Sequence, residues 1–144
     1  MEETYTRVPL IRLWNVVLVP LQGELGDEAA ARLTDDVLEC IHRTGAAGLV
    51  LDITGLWMVD SHLCAVLTSL ATAAGLVGSR TVISGMKPQI ALTLQTMGAE
   101  LRGATTALSV ESALESLGIH ATADGRPSPK SKPQRGGVGW KKRK

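Results

Sequence analysis

The stretch Leu49-Val50-Leu51-Asp52-Ile53-Thr54-Gly55-Leu56-Trp57-Met58-Val59-Asp60-Ser61 decides how the rest of the chain is read. Its opening residues are apolar and lie between Gly48 and Gly55, which predicts a short buried strand over 49–53, stopped by Thr54-Gly55. A brief loop follows, and Asp60-Ser61 then opens an apolar-periodic segment reaching about Val77. Side-chain oxygens of Asp and Ser accept the backbone N–H groups that a helix start leaves without partners. Ser61 is therefore expected at the head of a helix, beside a carboxylate, at the mouth of a strand–loop–helix unit. Backbone amides and the helix dipole favour negative charge there, so the position suits a phosphate.

Upstream, the apolar runs Leu10–Leu13 and Val16–Val19 flank Trp14-Asn15, which predicts a tight hairpin or a bent strand pair with Asn15 as the turn residue. Gln22 to Asp27 reads as a polar loop ending in a cap at Asp27. From Glu28, apolar residues recur at Ala30, Leu33, Val37 and Ile41, with Asp35, Asp36, Glu39 and Arg43 on the other side. That spacing is an amphipathic helix, ended by Gly45.

Downstream, the helix that begins at Ser61 carries Leu63, Leu67, Leu70, Ala74 and Val77 in one stripe, broadened by Cys64, Val66, Ala71 and Ala73. A helix apolar over so much of its circumference is deeply buried or faces a partner. Arg80–Ser84 reads as a strand. Gly85-Met86-Lys87-Pro88 turns into a helix over 89–97, with Ile90, Leu94 and Met97 on one face. Thr105-Thr106-Ala107 reads as a short edge strand. Ser109 caps a last helix through Leu117, with Val110, Ala113, Leu114 and Leu117 inward. Strands alternating with helices of this length predict an α/β layer with right-handed crossovers and largely parallel pairing.

A chain of 144 residues makes one domain, and with aromatics at 3% and no Phe its core must be built from Leu, Val, Ile and Ala. No run approaches the ~20 apolar residues that span a bilayer. The acidic start Met1-Glu2-Glu3-Thr4 lacks a secretory signal, so the cytoplasm is expected and no membrane partner. Cys40 and Cys64 fall in predicted helices and read as small core hydrophobes. The net charge of +1 hides an asymmetry: from residue 124 onward eight basic residues stand against Asp124 alone, so the body is acidic. The tail is rich in Pro, Gly, Ser, Lys and Arg and is expected to be disordered. The predicted organisation is a domain over residues 1–120 and a basic tail over 121–144.

Catalytic patterns are missing. The three histidines, His42, His62 and His120, show no ligand spacing, so no metal is expected. Asp60-Ser61-His62 has the residue types of a hydrolytic triad, but neighbours on a helix point apart and cannot meet as nucleophile and base. No nucleotide-cradling glycine loop occurs in a strand–helix context, and no cofactor is expected. The apolar side chains before Ser61, Trp57 and Met58 among them, plug the core or flank a docking surface.

Val50 to Ser61 resembles the signature of STAS domains, the fold of bacterial anti-anti-sigma factors: a buried strand ending in Asp, a loop, then Asp-Ser or Asp-Thr opening a helix. Gly85 to Gly98, G-M-K-P-Q-I-A-L-T-L-Q-T-M-G, resembles the G-x-x-P-x-[IV]-A-x-T-L-x-x-x-G stretch of the stressosome branch. Val8 to Asp27 resembles the start of that branch's single-domain scaffolds of the RsbS type. The likeness covers residues 8–118. His62-Leu63-Cys64-Ala65 stands where anti-anti-sigma factors usually carry Ser-Gly-Leu-Gly, which favours the stressosome branch. No N-terminal sensory domain is expected, which also fits the RsbS type, whereas the basic tail has no counterpart there.

The resemblance implies a STAS fold, with a mixed, mostly parallel sheet of four to five strands and about four helices packed mainly on one face. It implies a non-catalytic scaffold that joins RsbR-type paralogues in a large assembly, or a homo-oligomer, and sequesters an RsbT-type switch kinase. The kinase phosphorylates the scaffold and leaves; a phosphatase resets it. Ser61 matches the phosphorylated serine, and Thr54 aligns with a second phosphoacceptor of RsbR-type paralogues. Trp57, Met58, Asp60, His62 and Leu63 are the expected partner-binding residues. One rival is an anti-anti-sigma factor that binds an anti-sigma kinase. Another is a nucleic-acid-associated protein acting through the tail, with Trp140 stacking on a base.

Overall fold

The computed structural model describes residues 8–96, 98, 101–121 and 127–129. Ile11–Leu13 (β1) and Val16–Gly23 (β2) pair antiparallel around Trp14-Asn15, with Leu13 opposite Val16. The positive φ that so tight a turn requires, 56°, falls on Trp14. Asn15 instead lends its carbonyl to the amides of Ala47 and Gly48 at 2.8 and 3.2 Å, stitching the hairpin to the next strand.

Helix α1 (Asp27–Thr44) is capped by Gly26 and not by Asp27, because β2 runs on to Gly23 and shortens the expected loop. Asp27 becomes the first helical residue, where its carboxylate suits the dipole. Gly45 ends the helix as expected, at φ 70°. Then come β3 (Gly48–Leu56), α2 (Ser61–Leu76), β4 (Arg80–Ser84), α3 (Pro88–Thr96), β5 (Ala104–Ala107) and α4 (Val110–Ser116). The sheet order is β1-β2-β3-β4-β5, parallel from β2 to β5.

That sequential order determines where the helices go. Right-handed crossovers that always step to the next strand on the same side lay every connecting helix on one face. Accordingly α1, α2 and α3 bury Leu33, Val37, Leu67, Leu70 and Ile90 in one cluster with Val17, Val19, Leu49, Leu51, Ile53 and Ile83 of the sheet. The alternate strand residues Val16, Val50 and Val82 face the other way and are covered by Ala113 of α4 and by Ile119. α4 is free to take this second face because no strand of the five-stranded sheet follows it. Each large side chain so buried contributes roughly 1.5–3 kcal/mol. Cys40 and Cys64 are both buried and unpaired within the first cluster.

Three further expectations need correction. The strand stopped by Thr54-Gly55 continues to Leu56, because Gln22 and Gly23 of β2 go on pairing with Gly55 and Leu56. The apolar stripe of α2 ends before Val77, which with Leu76 lies exposed beyond the edge of the core. Within the tail, Pro127–Pro129 pair antiparallel with Ile119–Ala121, so those three residues depart from the expected disorder. The remainder of the tail, residues 122–126 and 130–144, lies outside the described residues, as does Met97. Among the described residues no helix is long and apolar enough to cross a membrane.

Candidate functional site

The site begins with an irregularity in β3. Pro20 pairs with Asp52 but Gln22 with Gly55, so Ile53 and Thr54 together oppose Leu21. This bulge reverses the alternation of side chains beyond it. Leu56 therefore turns into the same core as Ile53, although the two are three residues apart. Leu56 and Val59 are both buried and pin the following loop at its two ends. Its middle stands out: Trp57 is 77% exposed and Met58 59%. The core plugs are thus Leu56 and Val59, and the exposed pair is Trp57 and Met58.

At the head of α2 the two capping residue types divide their work. Asp60 is extended, and its Oδ1 accepts the Leu63 amide at 2.8 Å while its carbonyl accepts the Cys64 amide at 2.9 Å. Ser61, one position on, is exposed, and its hydroxyl has no hydrogen-bond partner among the described residues. The first-turn amides of Ser61 and His62 have no acceptor within the helix, as at any helix start. His62 Nε2 lies 2.8 Å from Asp27 Oδ1 and ties the head of α2 to the head of α1. Leu63 is only 5% exposed and packs in the core, where it anchors the helix, unlike the exposed Trp57, Met58, Asp60 and His62. α2 contains no Asp, Glu, Lys or Arg, so the carboxylate at its head is that of its cap, Asp60.

Thr54 has different surroundings. Its hydroxyl donates to Asp52 Oδ1 at 2.6 Å, and the same oxygen accepts from the fully buried Ser84 hydroxyl at 3.2 Å. Gly85, at φ 81°, presses against Thr54: a β-carbon there would collide with Thr54 Oγ1. A phosphate on Thr54 would replace a donor with an anion beside Asp52. Of the two hydroxyls singled out from the sequence, Ser61 is spare and Thr54 is committed to a carboxylate.

Beside Trp57 lies a groove of about 600 Å³, walled by Pro9, Pro20, Leu25 and Ala29 with Glu24 at its lip. Its walls come from four separate segments, and no local pattern in the sequence announces it. The Asp27–His62 contact was likewise missed, although an acidic residue opening one predicted helix and a histidine opening another were both visible. Among the described residues no group of three or more His, Cys, Asp or Glu is placed to hold a metal ion.

Residues 8–113 match the model of the STAS domain. The structure of RsbS from Moorella thermoacetica, in a serine-to-glutamate form, is 34% identical with a TM-score of 0.69, over 78% of this chain and 95% of that one. A chain from the molecular architecture of the stressosome, a signal integration and transduction hub, is also 34% identical, with a TM-score of 0.67 over 76% and 95% of the two chains. The RsbT co-antagonist protein RsbRA of Bacillus subtilis is 27% identical over 108 residues, 74% of this chain but 39% of that protein. The chain thus spans about two fifths of that longer relative. By these matches the chain belongs to the STAS-domain family, in the branch that includes the stressosome protein RsbS.

Proposed function

We propose that the chain is a non-catalytic stress-signalling scaffold that binds and sequesters an RsbT-type serine/threonine switch kinase, and that phosphorylation of Ser61 releases it. RsbR-type STAS paralogues are its partners in a stressosome-like assembly, and a phosphatase returns it to the binding state. The observation that carries this reading is the division of labour at the head of α2. Asp60 alone caps the helix, so the exposed Ser61 hydroxyl can be modified without unmaking a structural bond.

The electrostatics follow from the position. Phosphorylation adds about −1.5 to −2 charges and three acceptor oxygens. Amides at the helix start can accommodate that charge in the free protein. A partner seated on Trp57 and Met58 would instead meet it beside Asp60, inside an interface that excludes water. A coupling of about 1–3 kcal/mol lowers affinity roughly 5- to 150-fold. The kinase brings ATP and magnesium; this chain supplies the hydroxyl.

The test is binding of an RsbT-type kinase before and after exposure to ATP. Ser61→Ala keeps the kinase bound throughout, Ser61→Asp binds it at least about fivefold more weakly, and Thr54→Ala behaves as the unmodified chain. Equal affinity for the alanine and aspartate variants at Ser61 would sink the proposal. Capture of an anti-sigma kinase in its place would transfer the same site to the anti-anti-sigma reading.

A further inference from the structure

The charge asymmetry of the chain has a geometrical counterpart. Glu24 stands at the lip of the apolar groove walled by Pro9, Pro20 and Leu25 beside Trp57; Asp27 and Glu28 open α1, whose Ala29 also lines the groove, and Asp60 caps α2, whose His62 meets Asp27. Residues 130–144, K-S-K-P-Q-R-G-G-V-G-W-K-K-R-K, hold seven basic residues and no acidic one, with a single aromatic at Trp140. An acid-rimmed apolar groove and a tryptophan followed by four cations are complementary in both hydrophobicity and sign.

We propose that the segment Val138–Lys144 docks on this groove of its own chain. The indole of Trp140 sits among Pro9, Pro20 and Leu25, and Lys141 to Lys144 lie over Glu24, Asp27, Glu28 and Asp60. The chain can make this contact. Pro129 pairs with Ile119, whose side chain is buried in one cluster with Val16 on the second face of the sheet. Pro20 is on that same face, four residues further along β2, or about 13 Å at strand rise. Residues 130–139 can extend to roughly 33 Å, more than twice that rise. A tether of this length holds its own end near the groove at an effective concentration of about millimolar. Residues 1–7 are a poorer occupant, since Glu2 and Glu3 would add to the acidic rim.

Docking covers Trp57, so the tail competes with any partner that binds through that residue. It requires only the charges and the groove, and so goes beyond the kinase reading. One consequence does rest on that reading: a phosphate on Ser61 adds to the acidic rim, tightens the tail and keeps the kinase off.

The experiment uses the full, unmodified chain, treated with nuclease and mixed equally with a heavy-isotope copy. Carbodiimide joins lysine amines to carboxylates in direct contact, and mass spectrometry locates the links. Lys141, Lys142 and Lys144 should couple to Glu24, Asp27, Glu28 or Asp60 about fivefold more often than to Asp35, Asp36 or Glu39, within chains of one isotope. The preference should vanish in about 1 M salt, where the screening length is ~3 Å, and in Trp140→Ala. An even spread over all carboxylates, no links, or links that survive Trp140→Ala would overturn the docking. Links between light and heavy chains would overturn it in favour of a second copy. Because no kinase or phosphate is present, the result is independent of the proposed function.

Discussion

Replacing Asp60 and Ser61 separately by alanine tests whether the cap and the acceptor are different residues. Asp60→Ala removes the acceptor of the Leu63 amide at 2.8 Å. Loss of such a cap costs about 1 kcal/mol, within a range of about 0.5–2. The carboxylate also interacts with the helix dipole, worth a further ~0.3–1 kcal/mol. The sum is about 1–2 kcal/mol, which for a chain of this size lowers Tm by roughly 4–8 °C. Ser61→Ala removes an exposed hydroxyl with no partner among the described residues and should stay within ~0.5 kcal/mol. Urea denaturation followed by circular dichroism, with unchanged slopes, gives both values on one scale. Asp60→Ser should recover most of the loss, because serine also caps. The reasoning is refuted if Ser61→Ala costs as much as Asp60→Ala, for then the hydroxyl is structural and not spare.

Other expectations follow from neighbouring contacts. Asp52→Ala strips the acceptor from the buried Ser84 hydroxyl and from Thr54, and should cost about 1–3 kcal/mol in the same denaturation assay, with Asp52→Asn costing less. Gly85→Ala combines a positive φ with a collision against Thr54, whereas Gly78→Ala meets a positive φ in open space. The first should therefore destabilise clearly more than the ~1 kcal/mol expected of the second. Trp57→Ala should leave stability within ~0.5 kcal/mol, yet weaken kinase binding by about 2 kcal/mol, or roughly 30-fold, as measured by calorimetry.

Much of the architecture was legible because local chemistry and global order agree. The periodicity of 28–43 and Gly45 predict α1 and its left-handed end, and Asp60-Ser61 marks the start of α2. Alternating elements predict parallel pairing, and the sequential order follows from short crossovers. The misreadings share a cause: they depend on a distant partner. Thr54-Gly55 looks like a strand end, but β2 keeps pairing through the bulge and carries β3 to Leu56. Asp27 looks like a cap, but the extension of β2 hands that place to Gly26 and leaves Asp27 to meet His62. The groove beside Trp57 is assembled from segments far apart in sequence and has no linear signature.

Ser61 is the proposed switch. Mass spectrometry of the chain from unstressed and stressed cells tests it most directly. Phosphate on Ser61 should rise with stress, with none on Thr54, whose hydroxyl is held by Asp52. Absence of phosphate from Ser61 in both conditions, or its accumulation on Thr54, would contradict that role.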